Sequence, residues 1–235
     1  MPLQHDYHYP ESDGQPMAET SFHWNVMVDT TQALRRWYKT TPDVWVGSNL
    51  FFYYRERTPG IAPDVLAVRG VAKHERRTFK MWEEGGHAPF FVLEATSENT
   101  RSKDLDTNKA IYESIGVEEY FLYDPLDEYL KPRLQGLQLT ANGYRPIQRA
   151  SDGSLLSTTT GLLLRPEGAR LRLVDAATNV PLLWDEELEA ARKAEAAARM
   201  AAEERAEVEI AARRTAEERV RALEAELARL RAEHG

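Results

Sequence analysis

Two carboxylates and one lysine carry the strongest chemical signal in the chain. Asp64 follows Pro63 at the head of the short apolar run 65–68, and Glu94 closes the apolar run 90–93 just before the polar stretch 96–99. A carboxylate at the end of a buried strand needs a cation, a metal or a set of donors, because an uncompensated charge is costly away from water. If the two runs pair antiparallel, the start of one lies beside the end of the other, and Asp64 and Glu94 converge at one sheet edge. Converging carboxylates are what a hard divalent cation such as Mg2+ needs. Pro-Asp is also a common turn pair, so Asp64 taken alone reads as structure, and only Glu94 shifts that balance. Lys109 lies one turn from both Leu105 and Tyr112, at the margin of a packed helix face. From there its long stem can reach back toward the strand end that carries Glu94.

The elements that must position these groups occupy residues 89–125. The run 90–93, bounded by Pro89 and polar residues, fits a strand buried on both faces. Leu105, Asn108, Ile111, Tyr112 and Ile115 then recur on one side of a helix, with Gly116 as its stop. Residues 120–123 form the next strand, ending at Asp124-Pro125. Strand, helix and strand with short turns make a βαβ-like unit, in which functional groups collect at one strand end.

The rest of the chain frames that unit. Residues 1–20 lack apolar periodicity and are expected to be a mobile lead-in, with His5 and His8 solvated. Trp24, Met27, Val28, Leu34, Trp37 and Tyr38 are spaced for a helix packed on a sheet, and Glu19 and Asp29 stand as candidates to assist a site from outside it. Residues 43–46 and 50–54 read as an early strand pair, or one strand broken at the turn signal Gly47-Ser48-Asn49. Arg69, Lys73, Arg76, Arg77 and Lys80, interleaved with Phe79 and Trp82, suit phosphate and hence nucleic-acid binding; a solvated basic loop paired with neighbouring acids is the alternative. A hairpin is expected around Asn142-Gly143, and a second with strands at 162–165 and 171–174.

From about residue 184 the composition turns to Ala, Glu and Arg, without glycine or proline before Gly235. That stretch is a helix, and Val220, Leu223, Leu227 and Leu230 follow the three-four-three spacing of a short heptad seam. A coiled-coil homodimer is expected, against a lone charged helix held by intrahelical ion pairs. The expected organisation is a lead-in at 1–20, a domain at 21–180 and a C-terminal coiled-coil helix at 181–235.

Composition narrows the class. The chain has 235 residues, 42% of them hydrophobic, which is enough for a real core. It contains no cysteine, which removes disulfides, zinc-thiolate sites and cysteine nucleophiles. No apolar run is long enough to span a membrane and the polar start lacks signal-peptide features, so a soluble, cytoplasmic protein is expected. A formal net charge of -8 argues against coating nucleic acid by bulk attraction, so any such contact must be local.

Taken together, Pro63-Asp64, Glu94-Ala95-Thr96-Ser97, Asp104 with Lys109, and the run from Gly116 to Pro125 resemble the Uma-two family of restriction-endonuclease-like proteins, within the PD-(D/E)XK nuclease superfamily. The resemblance covers roughly residues 24–173. It implies an α/β fold, a restriction-endonuclease-like mixed β-sheet flanked by helices, to which the β-hairpins and the long C-terminal coiled-coil helix are additions. It also implies a metal-dependent endonuclease acting on nucleic acid, DNA before RNA. Asp64 and Glu94 would bind Mg2+, or Mn2+ in its place, with the Ala95 carbonyl, and Lys109 would supply positive charge. The superfamily pattern sets a lysine two residues after the glutamate, where this chain has Thr96; Lys109 on the following helix is the expected replacement. Ser97 and Asp104 are implied as support, with a local helix-terminus role open for Asp104. The alternative is a catalytically inactive nuclease-fold module that acts through its tail.

Overall fold

The computed structural model describes residues 7–12 and 20–233. It divides into two units, Met1–Trp184 and Asp185–Gly235. In the first, α1 (Ser21–Trp37) starts at Thr20, whose side chain accepts the His23 N–H at 3.2 Å. Its last turn carries Arg35 and Arg36, which suit the negative end of the helix dipole.

A six-stranded sheet follows, in the order β1-β3-β5-β6-β7-β8. Its strands are β1 (Val44–Gly47), β3 (Val65–Arg69), β5 (Pro89–Ala95), β6 (Glu119–Tyr123), β7 (Leu134–Thr140) and β8 (Gly143–Pro146). Only β5 and β6 run parallel; the other neighbours are antiparallel. Successive strand residues point to opposite faces. Val65, Ala67, Phe91 and Leu93 therefore pack with Val26 and Leu34 of α1, while Leu66, Val68 and Val92 pack with Tyr112 and Tyr120. Burial on both faces is why these strands read as unbroken apolar runs.

β3 pairs with β5 in the register Val65↔Leu93, so the two strand ends meet as the sequence suggests. The early strands differ from expectation. β1 pairs with β3, whereas β2 (Phe52–Tyr53) pairs parallel with β4 (Phe79–Lys80) in a separate sheet. The break between them is tied to the Pro63-Asp64 segment: the Asn49 N–H donates to the Pro63 carbonyl at 3.0 Å and Ser48 Oγ to the Asp64 carbonyl at 2.7 Å. These anchors make the break a support for Asp64 rather than a hairpin turn.

The helix after β5 is not uniform. Residues Lys103–Asn108 are wound as a π-helix before α2 (Lys109–Ile115), which stops at Gly116 with φ 86°. Both expected hairpins form, the second from β10 (Leu162–Glu167) and β11 (Arg170–Asp175); the sequence reading did not anticipate β9 (Leu155–Ser157), which pairs with β10. Within the expected lead-in, Tyr9 packs on the rings of Tyr53 and Trp82 at 5.0 and 5.4 Å, so residues 7–12 dock on the domain. His5 and Glu19 lie outside the described residues.

The second unit is α3 (Asp185–Glu233), 49 residues and roughly 74 Å long at 1.5 Å per residue. Its described residues carry i,i+4 pairs such as Glu189–Lys193 and Arg213–Glu217. Val220, Leu223, Leu227 and Leu230 are each at least half exposed. No described helix is long and apolar enough to cross a membrane.

Candidate active site

The end of the sheet where β3 begins and β5 stops brings three carboxylates together. Glu94 is 4% exposed and follows Val92 on the sheet face covered by α2. Its Oε1 accepts from the Tyr112 hydroxyl at 2.6 Å and from Asn108 Nδ2 at 3.4 Å, and its Oε2 accepts the Asp64 backbone N–H at 3.0 Å. Asp64 Oδ2 accepts the Ala95 N–H at 2.7 Å, and Oδ1 lies 3.0 Å from His23 Nε2. Each carboxylate is thus held by a backbone N–H of the other's segment. The antiparallel register produces this cross-lock directly.

Asp104 completes the cluster from the π-wound turn. Its Oδ2 accepts from Thr96 Oγ1 at 3.3 Å, its Oδ1 from Asn108 Nδ2 at 3.2 Å, and its backbone carbonyl from the Tyr120 hydroxyl at 3.0 Å. Asp104, Asn108 and Tyr112 stand four residues apart and form one buried column facing the sheet end. Asn108 Oδ1 is buried and finds no hydrogen-bond partner among the described residues.

Like charges out of water disfavour ionisation. Burial first, and then the charges of Asp64 and Asp104, push the Glu94 carboxyl well above the usual carboxylate range, against the opposing effect of the bonds from Tyr112 and the Asp64 N–H. Asp104 is pushed up to about 6, mainly by burial, with the Thr100, Thr96 and Asn108 bonds opposing and Asp64 adding to the rise. Tyr112 and Tyr120 are raised by burial and by Glu94, so both remain phenols that donate.

The other sequence candidates fall in different places. Lys109 is half-buried beside Asn108 and its ammonium makes no bond to the described residues; the inward position touching Glu94 belongs to Asn108. Ser97 meets Thr100 in the turn before the helix, Oγ to Oγ1 at 3.3 Å, and does not touch Asp64 or Glu94. Asp104, by contrast, is inside the cluster. Asp29 pairs with Arg170 at 2.7 Å.

The five basic residues between the carboxylates all have partners within the chain. Arg69 bonds Glu118 at 3.4 Å and covers Phe90. Arg76 is buried against Glu84 at 2.7 Å and stacks over Trp45, so it does not present its guanidinium to a ligand. Arg77 pairs with Glu11, Lys80 with Glu83, and Lys73 Nζ donates to the Tyr38 carbonyl. Three site residues had no role in the sequence reading: His23, Asn108 and Tyr112. Each occupies an inward helical position, His23 one turn before Val26 and Met27, and a polar group on a packed stripe is the signal that points to them.

Comparison with known proteins gives one family. Residues 1–166 match the Uma2 family model, described as "Putative restriction endonuclease". No curated protein matches the chain. Among solved structures, the chain is similar to a protein from Anabaena variabilis described as a "putative nuclease belonging to DUF820", at 14% identity and a TM-score of 0.44, over 64% of this chain and 81% of that one.

Proposed function

Because the chain belongs to the Uma2 family of restriction-endonuclease-like proteins, we propose that it is a divalent-metal-dependent endonuclease, cutting DNA at the Asp64–Glu94 centre. The observation that carries this reading is the cross-locked carboxylate pair, which has no cationic side chain bonded to Glu94. Among the described residues no three His, Asp or Glu side chains form a ready metal-binding group. The oxygens present still suit Mg2+, which takes one or two carboxylates and keeps several waters. Each carboxylate oxygen of Asp64 and Glu94 has one hydrogen bond and a lone pair to spare, apart from Glu94 Oε1, which also meets Asn108. The Ala95 N–H points at Asp64, and in an extended residue the carbonyl lies on the same side of the strand, so it completes the oxygen set.

A bound Mg2+ or Mn2+ would neutralise the scissile phosphate and lower the pKa of a bound water. The chain's own groups do the rest. Tyr112, Asn108 and the Asp64 N–H fix the Glu94 carboxylate, His23 and the Ala95 N–H fix Asp64, and Lys109 supplies positive charge from the margin of α2. A second reading, a nuclease-fold module that does not cut and acts through its tail, is favoured by the neutral amide of Asn108 standing where a cation would meet both Glu94 and Asp104.

Labelled single- and double-stranded DNA and RNA, incubated with Mg2+ or Mn2+, separate the two readings. Cleavage of DNA by the wild type and its loss by a factor on the order of 10^3 in Asp64→Ala is the expected result. A folded wild type that cuts none of these substrates overturns it.

The tail is proposed to pair two such domains as a homodimer through the row Val220, Leu223, Leu227 and Leu230. Light scattering is expected to give twice the chain mass for the wild type and a monomer for Leu223→Glu/Leu227→Glu. A monomeric wild type removes the proposal.

A further inference from the structure

A groove runs along the open edge of β1, between the last turn of α1 and residues 73–75. Arg35, Lys39, Lys73 and His74 line it with a single acid, Glu75, in a chain whose net charge is -8. Arg35 Nε donates to the Val46 carbonyl at 3.2 Å, which covers the unpaired strand edge and holds the guanidinium in place. Its terminal N–H groups meet no acceptor among the described residues, and neither does the exposed Lys39 ammonium. Lys73 Nζ donates to the carbonyls of Tyr38 and Lys39 at 2.5 and 3.4 Å. That contact offsets the negative end of α1, which would otherwise repel an anion.

The groove and the carboxylates are joined by α1. His23 of α1 meets Asp64, and Arg35 follows it by twelve residues, so roughly 18 Å of helix lies between the two places. That is about five nucleotides along one strand. Resting on the nuclease reading above, we infer that this groove holds the phosphodiester backbone some nucleotides to one side of the scissile bond, with Arg35 and Lys39 as the phosphate contacts and Lys73 as their supporting charge. Contacts of this kind position a substrate without reading its sequence. The basic segment 69–80 then contributes only Lys73 to the interface, because the other four cations are occupied within the chain.

Fluorescence anisotropy of short labelled DNA and RNA over a range of KCl, with EDTA to prevent cutting, tests the groove in the full-length protein. Arg35→Glu/Lys39→Glu is expected to weaken binding by roughly tenfold or more and to reduce the salt slope by about two, one for each phosphate no longer neutralised. Arg145→Glu/Arg149→Glu makes the same charge change at exposed cations elsewhere and is expected to shift affinity far less. Lys39→Glu alone, at an exposed side chain that bonds no described residue, reports on the groove with little risk to the fold. Equal losses in both double variants, or no loss in Arg35→Glu/Lys39→Glu and Lys39→Glu while the wild type binds, overturn the groove. A wild type that neither binds nor, with Mg2+ or Mn2+, cuts any of these nucleic acids overturns the nuclease reading beneath it.

Discussion

Glu94→Gln is expected to abolish metal-dependent cleavage and, with EDTA present near pH 8, to raise the melting temperature by on the order of 5 °C. Activity goes because a neutral amide cannot replace the anionic ligand. Stability rises because the wild type holds Glu94 out of water beside Asp64 and Asp104, an arrangement that penalises its charged form. Glutamine keeps the two shorter bonds, its carbonyl accepting the Asp64 N–H and the Tyr112 hydroxyl turning to accept from the amide, and gives up only the 3.4 Å bond from Asn108. The sign of the pH dependence follows from folded pKa values that lie above their unfolded values. Asp104 adds stability that is fully present below about pH 4 and is lost as pH rises through about 6, a difference of about 3 kcal/mol for a shift from 3.8. Glu94 acts in the same direction. Wild-type protein in EDTA should therefore lose stability between about pH 4 and pH 7. Mg2+ or Mn2+ should restore part of that loss, because a ligand that binds only the folded state stabilises it. Glu94→Gln should show a shallower pH dependence and little cation effect. Thermal melts at both pH values with EDTA or divalent cation check this, and a Glu94→Gln protein with an undiminished metal-induced shift counts against the proposed ligand set.

The central part of this site is legible in the sequence for a simple reason. Strands buried on both faces must be apolar throughout, so a carboxylate at the end of such a run stands out, and Asp64 and Glu94 each break that rule. The meeting of their strands depends only on antiparallel pairing, which the register Val65↔Leu93 provides. The destination of β2 was not legible, because 43–54 offers two short apolar runs and a turn whichever sheet receives them; the choice is made by contacts from Ser48 and Asn49 to Pro63 and Asp64. The basic segment misleads in the opposite way. Spacing shows cations near aromatics, but not that Arg76 is buried against Glu84 and Trp45, or that Arg35 and Lys39 from a distant helix line an open groove. The helix after β5 is hardest to read. Periodicity gives its packed face, while the π-wound turn sets the Asp104, Asn108 and Tyr112 column against the sheet end and leaves Lys109 at its margin.

That margin makes Lys109→Ala the second substitution with a large expected effect. Lys109 follows directly on Asn108, whose amide bonds both Glu94 and Asp104, and its ammonium bonds no described residue. A lysine that stabilised the fold would be paired; one at the margin of α2 whose ammonium bonds no described residue is available to a phosphate. Removing it is expected to lower the cleavage rate by about 10^2 to 10^3-fold, as for loss of one group that meets developing charge. The melting temperature should hardly move, because no bond is lost and alanine favours the helix. Asn108→Ala gives the contrast. It takes away the donor shared by two buried carboxylates and is expected to destabilise the protein by about 1 to 3 kcal/mol. Single-turnover cleavage and melting curves on the same preparations compare the two. Wild-type rates in Lys109→Ala would mean that the site's positive charge comes from elsewhere. Asn108→Lys then becomes the informative variant, because it sets an ammonium directly beside Glu94 and Asp104; a gain in cleavage there would mark the wild-type amide as the feature that holds the activity down.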